Sequence, residues 1–388
     1  MFRRVGLIAA AAALAALAVV TAASARPAAL SGSASSAASC GTVQIGMLAP
    51  ITGPAGSIGS DQLHWAQFFV GQWNKAGSKP KLKLVQGDTQ LDPSKASTVA
   101  QSFASNAAIM GVIGPAGSDE VQAVAPILSK AGLAFASGSA TRVSLTNGQY
   151  KGYFFRDVPN DGVQGPTDAN YMSKTLGVKS GDTVMIVDDQ ESYSTGLADI
   201  VGAALAAKGI KVDRESISQS ATDFSSLVAK AGSAKVVFLP FQLASQAQLF
   251  SQQLKAQGKS AVVFGSDGTF DSSKFNTPGA YVSFFAPDVT TIAANTKLVA
   301  LYKKLYGAAT TPFGAPNYVL AQMYATAAQA ACKDGKITRA EMRAQLAKVR
   351  LKSTIFGGPV SFTASGDVAG AKFYIFKIQS DGSYKTVG

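Results

Sequence analysis

Cysteine and histidine are nearly missing from this chain of 388 residues: it has two cysteines, Cys40 and Cys332, and one histidine, His64. With no second imidazole and no clustered thiols, a zinc-type centre lacks a ligand set, and His64 is expected on a helix flank. A Ser-His-Asp hydrolase would have to use His64, yet no G-x-S-x-G turn presents a serine. Neither a G-x-x-x-x-G-K-[ST] phosphate loop nor a G-x-G-x-x-G fingerprint occurs. Charged residues are only 15% of the chain. The lysines are scattered, with no basic run and no arginine-rich helix, so the formal charge of +12 gives nucleic acid no footprint. Beyond Val20 no long apolar stretch appears, and no membrane span is expected there.

What is present begins with an address. Arg3 and Arg4 precede an alanine-rich apolar stretch, Val5 to Val20, and Ala23-Ser24-Ala25 fits an A-x-A cleavage site. Residues 1–25 therefore read as a signal peptide and 26–41 as a disordered Ala/Ser/Gly/Pro leader. The mature chain is expected outside the cytoplasm: in the periplasm or on the extracytoplasmic face. Cys40 follows small residues but stands some way behind the apolar core, which disfavours a lipid anchor. An isolated cysteine pair in an oxidising compartment is expected to be bonded, so a Cys40–Cys332 bridge is predicted.

From Thr42 onward, extended apolar runs alternate with helical patterns. Val43 to Leu48 reads as a strand, and Leu63, Ala66, Val70 and Trp73 follow at helical spacing. Asp92-Pro93 looks like an N-cap with a first-turn proline, and Thr338 with Glu341 looks like a capping box. A second series starts after Arg156 to Asp161, with strands at Thr183 to Val187, Val236 to Leu239 and Ala261 to Phe264. Strands separated by helices of this length imply parallel sheets with right-handed crossovers. The length suggests two domains, so the fold class is α/β with two doubly wound parallel-sheet lobes. The end of the chain, Val360 to Phe362 and Lys372 to Ile378, alternates as β structure.

In open parallel sheets, ligands lie beyond the carboxyl ends of the strands. That rule selects Gly114 to Ser118, Ser137 to Thr141, Asp188 to Ser194, Pro240-Phe241, and Gly265 to Gly268. Gly114 to Ser118 runs straight into a helix, where amides and the Ser118 hydroxyl suit an anion. Asp267 suits a cation, and Tyr193 and Phe241 offer aromatic faces; together these suit a zwitterion. The plainer alternatives are that Ser118 only caps its helix and that the Gly/Ser loops are ordinary turns. Asp188-Asp189 reads as polar packing or loop capping rather than a Mg²⁺ site.

Three segments carry a family resemblance: Ala49 to Ala55 (APITGPA), Gly87-Asp88-Thr89 to Asp92-Pro93, and Gly111 to Pro115 followed by Gly117-Ser118. In their order and spacing they resemble the type I periplasmic binding proteins, and more narrowly the branched-chain amino acid (Leu/Ile/Val) binding proteins of ABC importers. The likeness runs from about Val43 to the C-terminus. It implies a Venus-flytrap whose lobes, 42–157 plus 288–352 and 158–287 plus 353–388, join through a three-segment hinge. Hinge crossings are expected near Arg156 to Asn160, Phe284 to Asp288 and Ser353 to Gly358. It also implies that Ser118 binds a ligand carboxylate, Ser139 gives a carbonyl to the ammonium and Thr141 a hydroxyl to the carboxylate. Tyr193 would reach across the cleft, Asp267 would pair with the α-ammonium, and Phe241 would line the pocket. Two departures stand out: Ile58 takes a place often aromatic, and Asp267 is shorter than the glutamate of many relatives. The function implied is a monomeric substrate-binding protein that delivers an amino acid-like ligand to a membrane permease, with no cofactor, no nucleic acid and no catalysis. The alternatives are a sensor built on the same clamp, or a binder of an aromatic acid or amide.

Overall fold

The computed structural model describes residues 38–307, 311–370 and 372–388. The expected signal peptide and the leader up to residue 37 lie outside the described residues. The last leader residues are structured: β1 (Ala38–Ser39) pairs antiparallel with a late strand, and Cys40 is bonded to Cys332. That bond joins positions 292 residues apart and occupies the sulfur that a lipid would need.

The first lobe is built around β2 (Thr42–Ala49). It is followed by α1 (Gly56–Lys75), β3 (Lys81–Asp88), α2 (Pro93–Ser105), β4 (Ile109–Ile113), α3 (Ser118–Lys130), β5 (Ala134–Ser137) and β6 (Phe154–Arg156). The five strands pair in the order β3-β2-β4-β5-β6, all parallel. Both faces of this sheet are covered, so β4 and β5 are buried at every residue and read as continuous apolar runs. Asp92 accepts from the Ser94 and Lys95 amides ahead of Pro93, the N-cap expected from the sequence.

The second lobe carries α4 (Asp161–Lys174), β7 (Thr183–Asp188), α5 (Ser192–Ala206), β8 (Lys211–Ser216), α6 (Ser225–Lys230), β9 (Val236–Leu239), α7 (Ala244–Ala256), β10 (Val262–Gly265) and β11 (Tyr281–Phe284). The chain then returns to the first lobe. There α8 (Thr296–Tyr306), α9 (Gly314–Ala331), β12 (Lys336–Ile337), α10 (Arg339–Leu346), β13 (Arg350–Leu351) and β14 (Val360–Ser361) follow. β12 is the partner of β1. Thr338 and Glu341 make the capping box predicted for α10. Last come β15 (Tyr374–Ile378) and β16 (Tyr384–Thr386), which complete a second sheet ordered β16-β15-β11-β10-β9-β7-β8. Its strands β7 to β11 are parallel, and β15 and β16 add antiparallel at the edge.

The chain passes between the two sheets after β6 and again after β11. The third passage comes later than Ser353 to Gly358. Ile355, Val360 and Phe362 are buried in the first lobe's core, with Val368 packed against them, whereas Phe373 belongs to the second lobe's core. The passage therefore falls between Val368 and Phe373. Among the described residues no helix is long and apolar enough to cross a membrane.

Candidate functional site

The loops after β2, β3, β4 and β5 meet those after β7, β9 and β10 and line a partly open cavity. The first lobe contributes Ile58, Leu91, Ala116, Gly117, Ser118 and Ser139; the second contributes Tyr193, Gln242, Asp267 and Gly268. Phe313, just ahead of α9, closes one wall.

On the first-lobe side the chain turns sharply after β4. Gly114 has φ +98°, and a Cβ there would sit 2.0 Å from the Leu48 carbonyl oxygen, so only glycine fits. The turn delivers Gly117 and Ser118 to the start of α3, whose dipole favours an anion at this end. Ser118 is buried, and its hydroxyl accepts from the Arg142 amide at 3.2 Å. The Ser139 hydroxyl already donates to the Ala116 carbonyl and accepts from Gln62 Nε2, each at 2.9 Å, so it is a fixed part of the wall. Leu91 reaches the cavity from a left-handed backbone position (φ 61°) next to Gln90 (φ 54°); two consecutive non-glycine residues of this kind mark a constrained loop.

The second lobe supplies acid. Asp267 is 3% exposed; the Tyr193 hydroxyl donates to its Oδ1 at 2.6 Å and lies 2.7 Å from Ser266 Oγ. Burial pushes the Asp267 carboxyl up to about 6. Below it, α4 turns Asp161, Gln164 and Asp168 inward, all fully buried. Burial, then the Asp267 charge, raises Asp161 to about 7 against the pull of Arg156 and Arg142. Asp168 accepts from Ser283, which in turn accepts from Gln164. The two arginines do not enter the cavity wall. Arg156 is fully buried and spends its guanidinium on Asp367 (2.7 Å), Thr146 and the carbonyls of Ala140 and Arg142. The cavity thus joins a helix start and a hydroxyl on one lobe to a buried acidic cluster on the other.

The lobes also touch at the rim. Lys274 Nζ reaches the Pro54 carbonyl at 3.1 Å and Ser57 Oγ at 3.0 Å, and Gln242 Nε2 lies 3.3 Å from Asp119 Oδ1. The cleft is therefore bridged from both sides. Glu191 stands near Asp119 across it; burial first, then the Asp119 and Asp189 charges, push Glu191 up to about 7.

Five of the sequence-selected residues, Ile58, Ser118, Ser139, Tyr193 and Asp267, line the cavity. Phe241 does not. It is wholly buried in the second core and stacked on Phe224, while its neighbour Gln242 reaches the ligand space. Thr141 also stands behind the wall: it is fully buried, its carbonyl accepts from the Asp161 amide at 2.9 Å, and its hydroxyl faces the same carboxyl. Tyr193 bonds within its own lobe rather than across the cleft. Asp188 and Asp189 cap their loop, and Asp189 Oδ2 accepts from the Gln242 amide at 2.8 Å, which sets that side chain in place. Leu91, Gln242 and Phe313 were missed. Gln242 directly follows Phe241, and Leu91 lies between Thr89 and Asp92 in the second family-like segment. Phe313 carried no signal, since only the return of the chain brings it there. His64 lies on α1 and stacks on Tyr306 at 4.8 Å.

Two α/β lobes, three crossings and a cavity between strand ends define a hinged ligand-binding clamp. A family model described as periplasmic binding protein matches residues 42–383, and the chain belongs to that family. It is 29% identical over 235 residues to the leucine-, isoleucine-, valine-, threonine- and alanine-binding protein of Pseudomonas aeruginosa; the match covers 60% of this chain and 62% of that relative's length. Among solved structures it resembles the branched-chain amino acid transporter substrate-binding protein LivJ from Streptococcus pneumoniae in complex with isoleucine. There the TM-score is 0.78 at 24% identity, covering 89% of this chain and 99% of that one. An ABC transporter solute-binding protein from R. palustris in complex with benzoate also superposes, with TM-score 0.78 at 18% identity, covering 90% and 96%.

Proposed function

We propose that this protein is the extracytoplasmic substrate-binding component of an ABC importer, and that it closes on an amino acid-like ligand, by default a branched-chain one. The single observation that carries the reading is the polarity of the cavity. Asp267, buried and served by one hydroxyl, faces the α3 start and Ser118 across a space walled by Ile58, Leu91 and Phe313. A zwitterion with an apolar side chain matches that order: the carboxylate goes to the Gly117–Ser118 end and the ammonium to Asp267.

The same geometry supplies a mechanism. The ligand touches both lobes only when they are closed, so its differential affinity drives closure. A micromolar ligand is worth about 8 kcal/mol, ample for a hinge equilibrium of a few kcal/mol. No residue of the cavity is asked to do chemistry on the ligand. The closed form would then dock, as a monomer, on a membrane permease, after export directed by residues 1–25.

The test is a thermal-shift screen of the mature chain with L-amino acids, benzoate-type acids and amides, followed by calorimetry. Stabilisation by L-leucine, L-isoleucine or L-valine supports the reading. Stabilisation by benzoate with no response to any amino acid would transfer the site to aromatic acids, such as the benzoate bound by the R. palustris protein.

A further inference from the structure

Three helices of the first lobe carry exposed charge of one sign. α1 packs against α8 through Trp65 on Tyr302 and His64 on Tyr306, and against α9 through Phe69 on Tyr318. Of the chain's 23 acidic residues only Asp61 lies in these helices. It is buried and accepts from Tyr302, Thr311 and the Gly314 amide, so it offsets nothing at the surface. The whole segment from Val289 to Gly307 holds no acid. Against this stand Lys75 at the end of α1 and Lys297, Lys303 and Lys304 on α8, all exposed.

α8 also turns apolar side chains outward. Val299 and Tyr302 are buried and Tyr306 is half-buried, which makes the inward stripe at helical spacing. The opposite side presents Lys297, Leu301, Lys304 and Leu305. Leu301 is 44% and Leu305 60% exposed, one turn apart; among the described residues only Val143 and Val387 are comparable large apolar side chains. Neither leucine belongs to the first lobe's core or packs against it. Two adjacent leucines in water forgo the gain of apolar burial, and a neighbouring surface would supply it.

We propose that the outward face of α8 is a docking face for an anionic phospholipid surface. The charge fits: three ammonium groups with no acid among them meet lipid phosphates. The leucines fit as well. A soluble polyanion would leave them in water, whereas the boundary between headgroups and acyl chains receives protruding side chains without a matching groove. The lysine stems can lie along that boundary while their charges stay among the phosphates. None of these residues lines the cleft cavity, so the proposal stands or falls apart from the ligand reading.

The test is co-sedimentation of the full disulfide-bonded chain with sucrose-loaded vesicles, one set of phosphatidylglycerol and phosphatidylcholine in equal parts, the other of phosphatidylcholine alone. Binding to the first set and not to the second is expected, and it should weaken as salt is added. A lysine at an anionic surface contributes about fivefold, so Lys297→Gln, Lys303→Gln and Lys304→Gln together should lower partitioning roughly a hundredfold. Leu301→Gln with Leu305→Gln keeps the charge and should lower it at least fivefold. Lys208→Gln, Lys211→Gln and Lys255→Gln, the same charge change on the second lobe, should lower it at most threefold. Every substituted position is exposed, so folding is not at issue. The proposal is overturned if the parent ignores the anionic vesicles, or if the second-lobe variant loses as much as the α8 lysine variant. It is equally overturned if the leucine variant binds like the parent, which would assign the lysines to a soluble polyanion. A parent that sediments as a dimer without binding vesicles, and that the leucine changes make monomeric, would give the face to a second copy and refute the lipid.

Discussion

Replacing Asp267 with asparagine isolates one charge. The new side chain keeps an oxygen where Oδ1 accepts from Tyr193 at 2.6 Å, so the contacts of the second lobe survive and only the negative charge is lost. If an α-ammonium sits against this group, the variant leaves that ammonium buried without its counter-ion. Breaking a buried pair in this way costs about 3–5 kcal/mol, or roughly a hundredfold to several thousandfold in affinity at 1.36 kcal/mol per decade. The assay is calorimetry with whichever L-amino acid stabilises the protein most. Proton release gives a second reading of the same event. Burial holds the Asp267 carboxyl near 6 in the free protein, and a bound ammonium would pull it down again. At pH 6 the parent should therefore release about half a proton per ligand bound, seen as heats that depend on the buffer's ionisation enthalpy, and the variant should release none from this position. Affinity within threefold of the parent, or net proton uptake by the parent, would refute the pairing.

Other contacts carry their own expectations. Lys274→Ala removes the rim bridge to Pro54 and Ser57; it should weaken ligand binding two- to fivefold by calorimetry, in keeping with about 0.5–1 kcal/mol for an exposed polar contact, and leave the ligand-free melting temperature unchanged. Arg156→Met strips a fully buried guanidinium from Asp367 and two carbonyls, and should cost about 3–5 kcal/mol in denaturant unfolding. Asp61, Glu120 and Asp161 are all raised to about 7 by burial, so the folded protein holds more protons than the unfolded chain between about pH 4 and 7. Stability should then fall as pH rises through that window; scanning calorimetry should give the ligand-free protein a higher melting temperature at pH 5.5 than at pH 7.5, and the reverse order would contradict those shifts.

Much of this architecture is legible from local rules. The apolar runs of β4 and β5 announced strands covered on both faces, and Asp92-Pro93 and the Thr338/Glu341 pair marked two helix starts, because each signal lies within a few residues of the structure it dictates. The strand-end rule reached the cavity for the same reason, since it needs only element order. It lost precision where single-residue direction matters. Phe241 and Gln242 are adjacent in the loop after β9, and one ring enters the core beside Phe224 while the other side chain enters the cleft. Composition favours the aromatic as the ligand contact; only geometry reverses that choice.

The acidic cluster was hidden for a different reason. Asp161 and Asp168 sit seven positions apart on α4 and look like the polar face of a surface helix. Their burial follows from what surrounds them after folding: Ser283 on β11, Arg156 at the first crossing, and Asp267 beyond β10. Such a face has a cost that pattern reading does not record, because carboxyls taken out of water are stabilised only by charge or donors from elsewhere. Here the protein's own donors are few: a serine for Asp168, a tyrosine hydroxyl for Asp267. The buried arginine is spent on Asp367, Thr146 and the carbonyls of Ala140 and Arg142. The second lobe therefore presents an electrostatic deficit toward the cleft, which a ligand ammonium would relieve upon closure. On the proposed function, the driving force for closing would lie in the acidic cluster beneath the cavity as well as in the contacts along its walls.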